Sequence, residues 1–392
     1  MRILSIETSC DETALAILSV SGFFRPTFTI EAHKIATQIA LHAQYGGVFP
    51  MMAKREHSRN IVPLFLVTLK EAGLVENQAE AAFSPDQTAL ITDALAREPE
   101  MLELFLEEIP HLKKPDIDRI AVTVGPGLAP ALWVGINFAK ALSIIWNIPI
   151  VPVNHMEGHV LSVLVPKHTK EFTLSRSSFK LPALSLLVSG GHTELVLMKK
   201  IGSYAILGAT VDDAAGEAFD KVARMLGLPY PGGPEISRLA EKARTENTHH
   251  TFKLPRPMIA SKDFNFSFSG LKTAVLYHIR DTGTPDEQQV MEIAREFEDA
   301  ACEVLVAKTM NAARKYAVKS IIVGGGVSAN KTLAERLTAA AQPLDLHVSF
   351  PTRELSTDNA VMIALAGYFG KKVSIDSKQL TAQGNLSFKK EA

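Results

Sequence analysis

The chain has 392 residues, of which 46% are hydrophobic and 21% charged, a composition typical of a soluble globular enzyme rather than a disordered protein. Its length suggests two domains, each able to bury its own core. The formal net charge is −1, from 41 basic and 42 acidic side chains, which excludes a generally basic nucleic-acid-binding protein. Any contact with RNA therefore depends on local patches or on partner proteins.

The N-terminal sequence MRILSIETSCDET becomes polar after only a few apolar residues. This pattern predicts neither a signal peptide nor a membrane span, so we expect a cytoplasmic protein without a membrane partner. Two cysteines, Cys10 and Cys302, are too few for a disulfide framework and agree with a reducing compartment. Cys10 precedes two carboxylates that disfavour a thiolate, so we interpret it as a packing residue.

The first segment predicts two strands, ILSIET and TALAILSV, joined by a tight turn that carries Asp11 and Glu12. A strand, a polar turn and a second strand present the nucleotide phosphate and its metal in actin-like and sugar-kinase-like ATPases. An apolar stripe then predicts a helix over about 59–72. Next come a strand in AVTVGPGL, a helix in LWVGINFAKALSIIW and a strand in IPIVPVN. This alternation indicates an α/β fold.

A segment rich in Ala, Glu and Pro, about 76–114, interrupts this order. It contains one amphipathic helix, in EPEMLELFLEEI. We interpret it as a surface insertion that either decorates the fold or contacts a partner.

Two histidines in VNHMEGHV, His155 and His159, are four residues apart, so on a helix they project from one face about one turn apart. With Asp358, in STDNAVMIALAG, they form a set of two imidazoles and one carboxylate. That set suits Fe(II) or Zn(II) and leaves coordination positions open for a substrate. The alternative is a pair of surface histidines and an aspartate that caps a helix.

The second half repeats the opening pattern. LPALSLLVSGGHTELVLMKK predicts a strand, a Ser-Gly-Gly turn and a strand, and KSIIVGGGVSANKTLAERL predicts a strand, a triple-glycine turn and a helix. Glycines there let backbone amides approach a phosphate or nucleoside, although such turns are also common connectors. The repeated pattern suggests a duplicated domain with a cleft between the copies.

At this point the chain resembles a known family, the tRNA N6-adenosine threonylcarbamoyltransferases in their bacterial form. The matching motifs, in order, are IETSCDETA, HAQYGGVFPMMAKREH, GPGLAPALWVG, NHMEGH, LLVSGGHTEL, DDAAGEAFDKVARMLGLPYPGGP, FSFSGLKTAV, GGGVSAN and TDNAVMIA. The resemblance implies a two-lobed actin-like fold of duplicated RNase H-like domains. We expect an N-terminal lobe of 1–151 with about 360–392, a C-terminal lobe of 152–359, and a nucleotide and a metal in the central cleft.

The resemblance also implies a reaction. The threonylcarbamoyl group of threonylcarbamoyl-AMP is transferred to N6 of the adenosine that follows the anticodon, in tRNAs that read codons beginning with A, and AMP is released. Such an acyltransferase needs no nucleophilic side chain, because the acyl group arrives as a mixed anhydride. The ion, one Fe(2+) per subunit with Zn(2+) as the alternative, would polarise the acyl carbonyl.

The resemblance assigns site residues as well. His155, His159 and Asp358 are the implied metal ligands, and Asp11 and Glu12 are candidate catalytic residues for orientation or proton handling. The implied substrate-binding residues are Leu187, Val188, Ser189, Gly190 and Gly191 for the acyl and phosphate groups, and Asp220, Gly233 and Asn330 for the adenosine.

The sequence departs from the family pattern at two positions. Leu187 stands where archaeal and eukaryotic relatives have a tyrosine that reaches the metal, which leaves the fourth ligand open. Ser237 stands where many relatives have aspartate, so one contact to an adenosine hydroxyl would be weaker or mediated by water. The insertion lies outside the resemblance.

Three other functions fit parts of the pattern. A zinc peptidase needs Glu directly after the first histidine, where this chain has Met156. A sugar kinase or other ATPase of this fold binds ATP through Mg²⁺ and carboxylates and has no use for a His/His/Asp site. A scaffold protein of the same fold would lack the histidines. The partners implied by the resemblance are tRNA, such a scaffold paralogue, a small ATPase and a separate synthase of threonylcarbamoyl-AMP.

Overall fold

A computed structural model describes residues 1–22, 24–77, 83–167, 169–173, 180–248, 252–370 and 379–390. The chain divides into two compact units. Unit 1 comprises Met1–Ser175 and Asp358–Ser387, and unit 2 comprises Arg176–Thr357 and Phe388–Ala392. Each unit is thus built from two stretches of chain.

The described strands are β1 (Arg2–Glu7), β2 (Glu12–Ser21), β3 (Thr27–Thr37), β4 (Arg119–Gly125), β5 (Ile150–Asn154), β6 (Glu171–Thr173), β7 (Ala183–Val188), β8 (Thr193–Lys200), β9 (Ser203–Ala209), β10 (Ser320–Gly324), β11 (His347–Ser349) and β12 (Lys389–Lys390). The described α-helices are α1 (Ile39–Ala43), α2 (Pro50–Glu71), α3 (Pro85–Ala94), α4 (Pro99–Glu108), α5 (Ala129–Trp146), α6 (His155–Leu161), α7 (Ala215–Met225), α8 (Gly232–Thr245), α9 (Ser269–Thr282), α10 (Glu287–Lys315), α11 (Lys331–Ala341), α12 (Arg353–Ser356) and α13 (Ala360–Phe369).

The two units share one sheet topology over their first five strands, whereas the sixth strand is antiparallel to its neighbour in unit 1 and parallel to it in unit 2. The order is β5-β4-β1-β2-β3-β6 in unit 1 and β11-β10-β7-β8-β9-β12 in unit 2. In each sheet the first three strands in the chain are antiparallel neighbours. The fourth strand pairs in parallel with the first, and the fifth pairs in parallel with the fourth. The repeated strand-turn-strand pattern in the sequence therefore reflects a repeated sheet.

Strand β1 is buried on both faces, and its side chains alternate between them. Leu4 and Ile6 belong to a core cluster with α2 and α5. Ser5 points the other way, where its hydroxyl donates to the carbonyl of Ala360 in α13 (2.7 Å). Helix α5 is long and apolar enough to cross a membrane, but 67% of it is buried in unit 1, where it acts as a core helix.

The predicted insertion contributes two helices, α3 and α4, to unit 1. A capping box begins α3: Gln87 N–H donates to Ser84 Oγ (3.2 Å) and Ser84 N–H donates to Gln87 Oε1 (3.1 Å). Phe105 of α4 packs edge-on against Phe138 of α5, with ring centroids 6.0 Å apart. The described part of the insertion is thus an extension of the unit 1 core, and residues 78–82 lie outside the described residues.

The division between the units differs from the predicted lobe boundary at 151/152. Strand β5 continues to Asn154 and pairs with β4, α6 packs on α13, and β6 pairs with β3, so residues 152–173 belong to unit 1. At the other end, β12 pairs with β9 of unit 2, which separates the last residues from the predicted N-terminal lobe. The observed division therefore falls at Ser175/Arg176, whereas the predicted boundary at 151/152 lies inside strand β5, which pairs with β4.

Candidate metal centre and substrate-binding turns

Helix α6 carries the two histidines. It begins at His155 because Asn154 caps it: Asn154 Oδ1 accepts hydrogen bonds from the backbone N–H of Met156 (2.8 Å) and Glu157 (3.4 Å). The rings of His155 and His159 are nearly perpendicular, with centroids 4.7 Å apart. Both histidines are buried, so the surface-histidine alternative does not hold.

Asp358 lies beside the two histidines, although in the sequence it follows Thr357, a residue of unit 2. Its Oδ1 lies 3.3 Å from His155 Nε2 and 3.3 Å from His159 Nε2. The next residue, Asn359, caps α13 by accepting a hydrogen bond from the N–H of Met362 (2.9 Å). One ligand atom from each of the three residues lies within 4.8 Å of the others. The structure therefore brings the three predicted ligands together, all within unit 1.

Gly158 makes this meeting of α6 and α13 possible. A Cβ at this position would lie 2.9 Å from Met362 Cγ and 3.1 Å from Ile363 Cδ1, both in α13. Any larger residue would separate the helix that carries the histidines from the helix that follows the aspartate.

A fourth residue, Glu7, holds His155 from behind. Glu7 is fully buried at the end of β1, on the same face as Ser5, and its Oε2 lies 3.0 Å from His155 Nδ1. The same carboxylate accepts hydrogen bonds from Thr123 Oγ1 (2.6 Å) and from the N–H of Ser9 (2.6 Å). Because a carboxylate accepts only, Nδ1 of His155 donates and Nε2 points at Asp358, the arrangement found in histidines that bind metals.

Charge is concentrated at this centre. Burial by itself lowers the pKa of His155, but Asp358 and Glu7 outweigh it and raise the pKa well above the ordinary value. Burial lowers the pKa of His159. The pKa values of Asp358 and Glu7 are lowered by His155, in spite of burial. The centre thus stabilises positive charge between two carboxylates.

A divalent cation fits this environment. Both ring nitrogens of His159 are buried and make no hydrogen bond to any described residue, because the 3.3 Å approach of Nε2 to Asp358 lacks hydrogen-bond geometry. A buried polar atom without a partner is costly, and a metal ligated by Nε2 would remove that cost. Two imidazoles and one carboxylate suit Fe(2+) or Zn(2+).

The turn between β1 and β2 lies beside this centre. Ser9 Oγ is 3.2 Å from His155 Nδ1, and the charge of Asp358 is one of the causes that raise the pKa values of Cys10 and Glu12. Burial, then the charges of Asp358 and Asp11, raises the pKa of Glu12 to about 10, and a bound cation would oppose that effect. Burial, then Asp11, raises the pKa of Cys10, which agrees with a packing role. Asp11 and Glu12 are mostly buried, so they are not ordinary surface acids.

In unit 2, the predicted acyl and phosphate residues form the end of β7 and its turn. Leu187 and Val188 are buried in the strand, whereas Gly190 and Gly191 are exposed. Ser189 closes the turn: its N–H donates to the carbonyl of His192 (2.8 Å), and its Oγ accepts from the N–H of His192 (3.1 Å).

The triple-glycine turn lies next to this one, because β10 pairs with β7 in parallel and Gly324 is opposite Leu187. Gly325 has a φ of +87°, and a Cβ there would lie 2.5 Å from the carbonyl oxygen of Val188. Only glycine fits this position. The two predicted glycine turns therefore share one edge of the unit 2 sheet.

The predicted adenosine residues lie on α7, on α8 and before α11. Asp220 Oδ1 accepts from the N–H of Gly232 (2.7 Å), which fixes the start of α8 and places Gly233 one residue on. Asn330 caps α11, with its Oδ1 accepting from the N–H of Leu333 (2.8 Å). The Asn330 amide donates to Ser237 Oγ (2.9 Å) and to Glu298 Oε1 (2.7 Å), so Ser237 contacts a predicted adenosine residue directly.

Comparison with known proteins supports one family. The model of the family described as TsaD, tRNA N6-adenosine threonylcarbamoyltransferase, matches residues 29–82 and 96–365. A tRNA N6-adenosine threonylcarbamoyltransferase of Chromobacterium violaceum is 44% identical over 371 residues, which cover 94% of this chain and 92% of its own. One of Ralstonia pickettii is 43% identical over 371 residues, with 94% and 90% covered.

The chain belongs to this family. The predicted family and the predicted enzyme class, a transferase, are therefore confirmed. The stretch between the two matched ranges, residues 83–95, contains α3, so the departure of the insertion from the family pattern is local.

A solved structure of full-length HypF, in its phosphate- and nucleotide-bound form, aligns with 98% of this chain and 47% of its own, with a TM-score of 0.51 and 11% identity. At that identity the likeness concerns the fold alone. Together with the two equivalent sheets, it confirms the predicted α/β, actin-like fold of this transferase.

Two buried carboxylates that the sequence did not predict contact the predicted site residues. Glu7 contacts His155, and Glu298 contacts Asn330. Strand alternation places Glu7 on the face of β1 opposite Leu4 and Ile6. An acidic residue at the end of a buried strand was the sequence feature that could have identified it. Glu298 lies within the 29-residue helix α10, where one buried charge is not distinguishable by pattern.

Proposed function

We propose that the chain transfers the threonylcarbamoyl group from threonylcarbamoyl-AMP to N6 of the adenosine that follows the anticodon in tRNA, and that it does so with a divalent metal held by His155, His159 and Asp358. The single observation that carries the metal part is the meeting of these three side chains within 4.8 Å in the buried part of unit 1. The family whose relatives carry this activity in their names supports the reaction.

The ion is proposed to be Fe(2+), with Zn(2+) as the alternative, because mixed imidazole and carboxylate ligands suit both. When bound, it supplies a Lewis acid that polarises a carbonyl oxygen. The protein contributes ligand orientation: Glu7 fixes the His155 ring, Asn154 fixes the start of α6, and Asn359 fixes the start of α13. These contacts hold the donor set in place before any substrate arrives.

Asp11 and Glu12 are proposed to orient the substrate or handle the proton of the attacking amine. Two observations support this role. Both carboxylates are mostly buried, and the charge of Asp358 raises the pKa of Glu12, so the turn lies beside the predicted ligands. A displaced amine proton needs an acceptor, and carboxylates are common acceptors in general base catalysis.

The adenosine part of the donor is proposed to bind unit 2 through Asp220, Gly233 and Asn330, and the phosphate and acyl parts to contact Leu187 to Gly191. The exposed amides of Gly190 and Gly191 are supporting features, since an added Cβ at either would meet nothing within 4 Å. Ser237 offers one neutral oxygen, which already accepts from Asn330, where a carboxylate offers two charged oxygens, and this supports the expected weaker contact to the ribose.

The proposed partners are tRNA, a scaffold paralogue of the same fold and a small ATPase. They remain proposals from the family resemblance.

The test is a nucleoside assay by mass spectrometry. tRNA is incubated with threonylcarbamoyl-AMP, the partner proteins and the protein loaded with Fe(2+) or Zn(2+), beside a His155→Ala/His159→Ala variant. We expect modified adenosine with the wild type and a loss of about 10³-fold with the variant, because metal polarisation contributes several kcal/mol. Metal content per subunit, measured on the same samples, should fall from one to none.

A matched control is His33→Ala/His111→Ala, which removes two histidines of unit 1 that lie outside the centre. It should keep both metal and activity. If the wild type makes no product with every component present, the reaction is wrong. If the His155/His159 variant makes product at the wild-type rate, the metal role is wrong.

A further inference from the structure

The motif HAQYGGVFPMMAKREH, residues 42–57, has no role in the function proposed so far. It contains two histidines, His42 and His57, and both are fully buried in unit 1. Their hydrogen bonds in the described structure go to residues other than His155, His159 and Asp358. Their hydrogen bonds nevertheless lead to the turn that carries Asp11 and Glu12.

His57 contacts that turn directly. Its Nε2 lies 3.0 Å from the carbonyl oxygen of Cys10, and its Nδ1 lies 2.7 Å from Thr13 Oγ1 and 3.3 Å from Gln38 Nε2. A carbonyl oxygen only accepts, so Nε2 carries the hydrogen and donates it. The hydroxyl of Thr13 then donates to the single lone pair of Nδ1, and the amide of Gln38 shares that lone pair in a longer contact. His57 is therefore neutral, with one defined tautomer.

His42 defines the orientation of Gln38 in the same way. The backbone N–H of Phe49 donates to His42 Nδ1 (3.4 Å), which leaves Nε2 to donate to Gln38 Oε1 (3.1 Å). With its oxygen turned to His42, Gln38 presents its NH₂ group to His57. The donors and acceptors of this relay, from Phe49 through His42, Gln38 and His57 to Cys10, are all consistent with one another.

Three successive carbonyl groups of the turn are held by segments outside it. Ser9 accepts from the N–H of Leu128 (2.8 Å), Cys10 accepts from His57, and Asp11 accepts from the N–H of Gln38 (2.9 Å). Of these three donors, His57 is the only side chain. The conformation of the turn thus depends on a side chain 46 or 47 positions away in the sequence.

We propose that His57 is a positioning residue for Asp11 and Glu12: by holding the Cys10 carbonyl, it fixes the direction in which the two carboxylates leave the turn. The proposal rests on the proposed role of these carboxylates. It gives the 42–57 motif a function in the reaction without contact to substrate or metal.

The experiment compares His57→Phe, which keeps a planar ring and removes the donor, with His57→Gln, whose amide can donate from nearly the same place. We expect His57→Phe to lower kcat about 10²-fold with a much smaller change in the KM for tRNA, since misplaced catalytic groups cost about that much. His57→Gln should recover most of kcat. Metal content should be unchanged in both variants, which separates this effect from damage to the metal centre.

The matched control is His33→Phe. His33 is another histidine of unit 1 whose pKa burial lowers to about 4, and it lies on β3, away from the turn. It should keep kcat. If His57→Phe folds and keeps kcat while Asp11→Asn and Glu12→Gln lose it, the proposal is wrong and the role of the carboxylates stands. If Asp11→Asn and Glu12→Gln both keep kcat, the proposed function of the turn fails, and this inference fails with it.

A second measurement does not depend on the folding of any variant. Nitrogen NMR of the wild-type histidine rings reports which nitrogen carries the hydrogen. We expect Nε2–H for His57 and for His42, and an Nδ1–H form of His57 would overturn the relay.

Discussion

The first turn of unit 1 and the first turn of unit 2 occupy the same place in equivalent sheets but are built in opposite ways. The turn between β1 and β2 is acidic and buried, and three of its carbonyls accept hydrogen bonds from other segments. The turn between β7 and β8 is Ser-Gly-Gly, with both glycines exposed. The comparison teaches that one topology can supply a rigid set of side chains in one copy and open backbone amides in the other.

The largest effect on stability is expected at Gly127, which lies against the turn between β1 and β2. Gly127 has a φ of +152°, and a Cβ there would lie 2.6 Å from the carbonyl oxygen of Ser9. Gly127→Ala should therefore cost roughly 4 kcal/mol of unfolding free energy, through backbone strain and overpacking. Chemical denaturation followed by circular dichroism measures it, and a cost below about 1 kcal/mol would mean that the turn is not rigid.

A pH effect of about 3 kcal/mol is expected from His57. Burial lowers its pKa to about 4 in the folded protein, while the unfolded chain takes up the same proton near 6.5. Because the unfolded state then binds more protons, the protein loses this stability as the pH falls from about 6.5 to about 4. The midpoint of thermal unfolding should decline less steeply over that range in His57→Gln than in the wild type, and equal slopes would contradict the buried neutral histidine.

A smaller effect, on metal affinity, is expected from Glu7. Glu7→Gln should weaken Fe(2+) or Zn(2+) binding by about 10- to 100-fold, because the amide can turn its NH₂ group toward His155 and no longer requires Nδ1 to be the donor. Competition with a chromogenic chelator measures the change. Thr123→Val, which removes only one hydrogen bond to Glu7, is the control and should weaken binding less.

The smallest change in stability is expected in the glycine turn. An added Cβ at Gly190 or Gly191 meets no atom within 4 Å, so alanine at either position should change the unfolding free energy by no more than about 0.5 kcal/mol. If the backbone amides bind the donor, the same substitutions should raise its KM. A large loss of stability would show that the turn between β7 and β8 is as rigid as the turn between β1 and β2, and would contradict the difference described above.

The sequence predicted most of the elements and the shared helix face of His155 and His159, because these signals are local. The spacing of His155 and His159, the capping residues and the alternation of strands depend on neighbours in the chain. The observed division differs from the predicted lobe boundary because β5 and β6 pair with β4 and β3, and α6 packs on α13, which no local pattern encodes. Glu7 and His57 were missed for a related reason, since each acts through a partner more than 40 residues away.

Helix α13 lies in unit 1, although it follows the long stretch of unit 2, Arg176–Thr357, in the chain. Ribosomes make proteins from the N-terminus, and domains fold as units during synthesis. Residues 176–357 are therefore complete while the unit 1 sheet still lacks the helix that covers β1 next to Ser5. Asp358 emerges with that helix, so the nascent chain acquires the third of its predicted metal ligands and the helix that covers β1 in the same step.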